Sequence, residues 1–251
     1  MRFRSPFLVR GAAAVAGLLI FTANAAGGQN IAPDTAKAVR VTASIGFLDA
    51  SGNTDVTTLN ASERLEWVRP RFLWQQTFEA VNGTTNGEES ANLIATRLRG
   101  DWTPPGRLSV YTFVSYDRNR FAGVSRRFEE GAGLAYRLIE QASHLLTTEL
   151  GSQFVQQLST DDISDEFLAG RAAAIYRFTF RENSYFDART EYLPNLETTD
   201  DYRLNTDLAL VAPLSRRLGI KLGYVVRFDN LPQPGAEKTD RFFTTGLQVA
   251  Y

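Results

Sequence analysis

The 251-residue chain carries 27 Lys and Arg against 28 Asp and Glu, one His and no Cys. The missing cysteines exclude a disulfide framework, a thiol nucleophile and thiolate metal sites together. A charge near neutrality gives nothing for a nucleic-acid backbone to attract, so no nucleic-acid partner is expected.

The first 25 residues read as a secretory signal. Arg2, Arg4 and Arg10 give a basic start, residues 11–22 are apolar, and Ala23-Asn24-Ala25 offers a small-x-small cleavage site. An anchoring helix is the other reading of this run. It is too short to span a bilayer, and Gly27, Gly28 and Pro33 follow it where basic stop-transfer residues would be needed. Cleavage is expected near Ala25, leaving a periplasmic N-terminal segment over 26–38 and a folded body over 39–251. Without the three signal arginines the charge becomes 24 against 28, or −4. No later run of 18 apolar residues occurs, which excludes inner-membrane helices.

From Val39 the sequence alternates apolar and polar residues in segments separated by turn chemistry, the pattern of antiparallel strands. The first pair spans 39–50 and 55–67 and is joined by Ser51-Gly52-Asn53-Thr54, a tight hairpin signal. After a turn at Arg69-Pro70-Arg71, Phe72, Trp74, Phe78 and Ala80 alternate up to a polar loop over 82–90. Ile94, Leu98 and Trp102 lead back to Thr103-Pro104-Pro105-Gly106, where proline ends a strand. Segments 108–118 and 125–138 form the third pair; the second has Ala132, Leu134, Tyr136 and Leu138 on one face and Gly131, Gly133, Ala135 and Arg137 on the other. The apolar face of 108–118 stays ambiguous. Segments 145–156 and 167–178 flank an acidic loop over 159–166, 184–193 and 202–212 flank 194–201, and 218–229 and 241–251 flank 230–240.

About twelve strands result. The last places Phe243, Leu247, Val249 and Tyr251 on one face, with Thr245 between them, and small or polar residues on the other. Apolar outside and polar inside is the inverse of a soluble strand. The segment resembles the C-terminal strand of bacterial outer-membrane barrels, which ends on an aromatic and is read by the barrel-assembly machinery. The fold expected is an all-β, transmembrane, antiparallel up-and-down β-barrel. Its even strand count puts both termini on the periplasmic side.

Trp67, Trp74 and Trp102 fall at strand ends on that side and, with Tyr136 and Tyr251, are expected to form an aromatic girdle. The turns there are short and basic (Arg69, Arg71, Arg107, Arg181, Arg216, Arg217). The opposite loops are longer and acidic (Glu88, Glu89, Asp161, Asp162, Asp165, Asp200, Asp201), suited to outer-membrane lipid and lipopolysaccharide through divalent cations.

Inward faces carry both signs of charge. Arg64, Glu66, Arg99, Asp101, Asp187, Arg189, Arg203, Asp207, Arg227 and Asp229 are the expected lumenal charge network, with Glu79, Asp117, Glu149, Arg171, Arg177, Glu191 and Lys221 on the same faces. In a lumen between the filled eight-stranded and the open sixteen-stranded cases, such charges pair across the interior and leave a closed or narrow polar channel. Glu63 breaks the pattern by falling on the outward face between Ala61 and Leu65. A β-bulge is slightly favoured as its cause, ahead of a protein contact.

The motifs Ser51-Gly52-Asn53-Thr54-Asp55, Leu59-Asn60-Ala61-Ser62, Asp117-Arg118-Asn119-Arg120-Phe121-Ala122-Gly123 and Glu130-Gly131-Ala132-Gly133-Leu134-Ala135-Tyr136-Arg137-Leu138 resemble, in order and spacing, the YdiY-like family of salt-stress-induced outer-membrane proteins. The resemblance spans nearly the whole mature chain and implies the barrel, a role in the envelope, no cofactor and no catalytic residue. An apolar residue is usual in that family where Glu63 stands here. Three functions compete: a non-enzymatic envelope barrel, a small-solute or cation-preferring porin, and an outer-membrane hydrolase. The hydrolase needs a general base, and the single histidine, His144, lies in a turn on the periplasmic side, away from outer-leaflet chemistry. A soluble periplasmic barrel or sandwich would need an apolar core that the charged and glycine-bearing inner faces oppose.

Overall fold

A computed structural model describes residues 39–50, 56–120, 123–181, 184–215, 218–232 and 238–250. The expected signal and N-terminal segment, the first hairpin turn, Arg216, Arg217 and Tyr251 lie outside the described residues, as does the side chain of Phe243.

Alternation of side chains generates the described elements. They are β1 (Val39–Ala50), β2 (Val56–Arg69), β3 (Phe72–Thr85), β4 (Glu88–Trp102), β5 (Leu108–Asn119), β6 (Val124–Glu140), β7 (His144–Ser159), β8 (Ser164–Arg181), β9 (Ser184–Pro194), β10 (Tyr202–Pro213), β11 (Leu218–Asp229) and β12 (Thr239–Ala250). Each pairs antiparallel with its neighbours in sequence, and β1 pairs with β12 to close the barrel. Closure removes the unpaired edges that an open sheet would present.

In β2, Leu59, Leu65 and Trp67 are exposed while Thr58, Asn60 and Ser62 are buried. The interior is therefore polar and the exterior apolar, as the sequence predicts and as a barrel facing lipid requires. In β5, Leu108, Val110 and Val114 face out while Tyr111 and Phe113 face in, which settles the strand whose sequence was ambiguous. Glycines opposite make room for the two rings. A Cβ on Gly133 would lie 2.5 Å from the Tyr111 hydroxyl, and one on Gly131 2.7 Å from Phe113 Cε1. Gly151 adds to the same hollow, 2.6 Å from that hydroxyl.

Two of the expected loops are strand. The polar stretch 82–90 continues β3 to Thr85 and restarts β4 at Glu88, leaving Asn86 and Gly87 with φ of 53° and 80° as the turn. Both residues take the left-handed conformation of a type I′ hairpin, which Asn-Gly favours. The acidic stretch 159–166 likewise shrinks, because β7 ends at Ser159 and β8 begins at Ser164. Polar residues there marked strand outside the apolar band, where the backbone still pairs but the outer side chains no longer need to be greasy.

Bulges occur at Gly83/Thr84, Asp117/Asn119, Val124/Arg126, Arg137/Ile139 and Thr179/Arg181, all towards strand ends. None lies at Glu63. The β2 register runs unbroken, with Glu63 opposite Ala43 of β1 and Phe78 of β3. The favoured bulge is thus corrected: Glu63 is on the outward face by regular alternation.

Candidate functional site: the charged lumen

The inner faces bring side chains from distant strands together, and the tightest cluster is a continuous chain of charge. Arg99 of β4 binds Asp101 on its own strand (Nη2 to Oδ1, 2.6 Å) and reaches across the interior to Glu149 of β7 (Nη2 to Oε1, 2.8 Å). The other oxygen of Glu149 receives Arg171 of β8 at 2.7 Å. Arg171 continues to Glu191 of β9 at 2.5 Å, which Arg189 also meets at 3.3 Å. Three carboxylates and three guanidiniums balance in this set.

Tyr111 is the hub of the cluster. Its hydroxyl accepts a hydrogen bond from Arg171 Nη1 at 2.7 Å, and the guanidiniums of Arg99 and Arg171 lie 4.3 and 5.2 Å from its ring centroid. A π-face beneath an arginine adds attraction when water is excluded. Water is excluded here: Glu149 is 1% exposed and Arg171 3%. Charges that far from solvent persist because each is paired and hydrogen-bonded.

Around this knot the pairs are more accessible. Towards the end of the barrel where β1 begins and β12 finishes, Arg177 grips Asp187 with two hydrogen bonds of 2.6 and 2.7 Å. Arg64 and Arg40 approach Glu66 at 3.8 and 4.0 Å, and Gln75 donates to it at 3.1 Å. Towards the far end, Glu129 of β6 meets Arg203 of β10 at 3.5 Å across the lumen and Arg97 of β4 at 3.7 Å. Arg227 holds Asp207 at 2.6 Å. Glu79 is buried, its Oε1 has no hydrogen-bond partner among the described residues, and its charged neighbours across the interior are Arg227, Asp207 and Lys221.

Within the expected network Asp187 pairs with Arg177. Asp229 forms no ion pair among the described residues; its Oδ1 accepts from the Leu231 amide at 2.9 Å and caps the loop after β11. Tyr111, Arg97 and Glu129 were not singled out. Glu129 had a usable signal, because it shares the parity of Gly131 and Gly133. Tyr111 had none until the glycines of two neighbouring strands were seen to face it.

On the outer surface Trp67, Trp74, Trp102 and Tyr136 are all exposed at the end where β1 begins and β12 finishes. Trp67 stands opposite Trp74 and Phe72 opposite Trp102. Trp74 lies over Gly100, where an added Cβ would come 3.0 Å from its ring. Leu247 and Val249 of β12 continue the outward face beside Ile45 and Ala43. His144 also faces out, its Nδ1 2.8 Å from the Tyr176 hydroxyl and its ring stacked on Phe178 at 4.7 Å. It is one more member of an aromatic belt. Among the described residues no three His, Cys, Asp or Glu side chains gather as metal ligands.

Comparison with known proteins agrees with this architecture. The model of DUF481, a protein family of unknown function, matches residues 43–251. An uncharacterized Escherichia coli K12 protein, YdiY, is 26% identical over 203 residues, 80% of this chain and 79% of its own length. Among solved structures, the translocator domain of the autotransporter NalP from Neisseria meningitidis has a TM-score of 0.53 at 13% identity, covering 86% of this chain and 88% of that one. The NanC porin has a TM-score of 0.48 at 8% identity, over 85% and 98% of the two chains.

Proposed function

The chain belongs to the DUF481 family of proteins of unknown function, and from that premise we propose that it is a non-enzymatic outer-membrane barrel, closed at rest by its own charges, that serves envelope integrity under osmotic or salt stress. The observation that carries this reading is the knot of Arg99, Glu149 and Arg171, which joins β4, β7 and β8 inside the lumen and is almost wholly buried. A path for solute through that point would have to separate buried, paired charges. Coulomb attraction at such distances is about 4 kcal/mol per pair at an effective dielectric near 20, and buried pairs are little screened by salt.

The apolar exterior and the aromatic end fit insertion in the outer membrane after removal of the signal near Ala25. The acidic far-end loops would then meet lipopolysaccharide, with divalent cations bridging to its phosphates through ligands supplied from both sides. Catalysis has no support in the lumen or at His144, whose ring is engaged in the aromatic belt. A small-solute or cation-preferring porin is the second reading. It is favoured by the exposure that Arg227 and Arg203 retain, 23% and 16% of their side chains, outside the knot.

Planar-bilayer recording decides between the two. The closed barrel gives little or no steady conductance from the wild type at low or moderate salt. Large, stable wild-type channels would put the porin first.

A further inference from the structure

Glu63 points a carboxylate away from the lumen, and the unbroken register of β2 leaves no local irregularity to excuse it. It stands four residues before Trp67. At about 3.3 Å per residue and a strand tilt of about 40°, each residue climbs ~2.5 Å along the axis. Glu63 therefore sits ~10 Å from the tryptophan level within an apolar band ~25 Å tall. Apolar outward neighbours flank it on both sides along the strand, Leu65 and Trp67 below, Ala61 and Leu59 above.

A second outward carboxylate differs in this respect. Glu130 of β6 is followed outward by Phe128 and then by exposed Arg126, and Phe128 stands opposite exposed Gln156. It lies at the rim of the band, where a side chain can reach the headgroups. Glu63 cannot, and it makes no hydrogen bond or ion pair among the described residues.

We infer that the outward face of β1, β2 and β3 around Glu63 is the interface with a second copy of this chain in the membrane. The inference rests on the membrane-barrel reading and adds its assembly state. Lipid offers a carboxyl no hydrogen-bond partner, and among the described residues no outward basic side chain stands at the depth of Glu63. A head-to-tail contact between copies would therefore leave the carboxyl unmatched. Two Glu63 side chains facing across a twofold axis match each other, since a protonated carboxyl is both donor and acceptor.

The surroundings suit close approach. Outward Ala43 lies beside Glu63 on β1 and Ala61 lies opposite Ala80, so small side chains adjoin the carboxyl on that side, while Phe78 stands opposite it on β3 as an apolar packing surface. The patch also borders the shortest strand pairing among the described residues. β1 meets β12 over Thr42–Ile45 against Leu247–Ala250, whereas it pairs with β2 along its whole length. A neighbour packed on this face covers the closing strand.

The chain has no cysteine, so single-cysteine variants report on the interface directly. Ala61→Cys should give a disulfide-linked species of twice the monomer mass in isolated outer membranes, and Ala174→Cys, outward on β8 at the opposite side of the barrel, should stay monomeric. In the cysteine-free chain, Glu63→Gln should keep the dimer, while Glu63→Leu, though more apolar, should raise its dissociation constant about tenfold in mild detergent, the effect of ~1.4 kcal/mol. Membrane fractionation and a shift in gel mobility on boiling, measured on every variant, show separately whether the barrel has inserted and folded. With folding intact, the inference is overturned by a monomeric wild type, by equal cross-linking at Ala174→Cys, by linkage to a protein of another mass, or by a dimer indifferent to Glu63→Leu.

Discussion

Two glutamates each stand 2.7 Å from an arginine, Glu149 from Arg171 and Glu140 from Arg137, and distance alone would rank them equal. Burial separates them. The Glu140 side chain is 39% exposed, and such surface pairs contribute about 0–1 kcal/mol. Glu149 is enclosed and bridges two guanidiniums, so Glu149→Ala leaves buried charges uncompensated and should cost about 3–5 kcal/mol. Urea unfolding in detergent should show a large loss for Glu149→Ala and a loss within about 1 kcal/mol for Glu140→Ala; equal losses would mean that the knot is hydrated. His144 belongs to the same scale. Its ring contributes a stack on Phe178 worth about 0.5–1.5 kcal/mol, so His144→Ala should lower stability slightly and leave any hydrolysis of ester or peptide substrates at the wild-type level. A wild-type hydrolase activity that disappears in this variant would restore the enzyme reading.

At the level of elements, strand faces were legible because alternation has a fixed period and most outward residues are apolar. Pairing across the lumen was not, since nothing local in Arg99 says that its partner is Glu149, fifty residues on. Strand ends were not legible either, because Asn82, Asn86 and Gly87 look like a loop in sequence and form a hairpin above the apolar band. The pair that closes the barrel is β1 with β12. Among the described residues β12 pairs with β11 from Phe228 opposite Thr239 to Leu218 opposite Val249, and with β1 over Leu247–Ala250. On the reading of the last strand as an assembly signal, Tyr251, of outward parity in the sequence, is the residue that an assembly factor would recognise. Tyr251→Ser should reduce the yield of protein in the outer membrane more than it lowers the stability of the refolded barrel. Normal insertion together with a large stability loss would make Tyr251 a packing residue and remove its signalling role.

For the molecule as a whole, closure depends on how charge is distributed between a sealed half and a more accessible half. The Arg99–Glu149–Arg171 knot blocks the side of the lumen formed by β4 to β9, while Glu79, Lys221, Asp207 and Arg227 line the side formed by β3, β10 and β11, and Arg227 keeps 23% exposure. Removing a cation from the accessible side is therefore the gentlest way to open a path without dismantling the core. Arg227→Ser deletes the 2.6 Å partner of Asp207 and makes the lumen more negative by one charge, so water enters and cations are preferred. Arg203→Ser should act in the same direction but less, because Arg97 remains 3.7 Å from Glu129. Planar bilayers should then show the order wild type, Arg203→Ser, Arg227→Ser in rising cation-selective conductance, with reversal potentials under a salt gradient moving towards the cation limit in step. Conductance that is unchanged in both variants beside an already open wild type would mean that solute passes the knot itself, and the paired lumen would no longer describe the resting state.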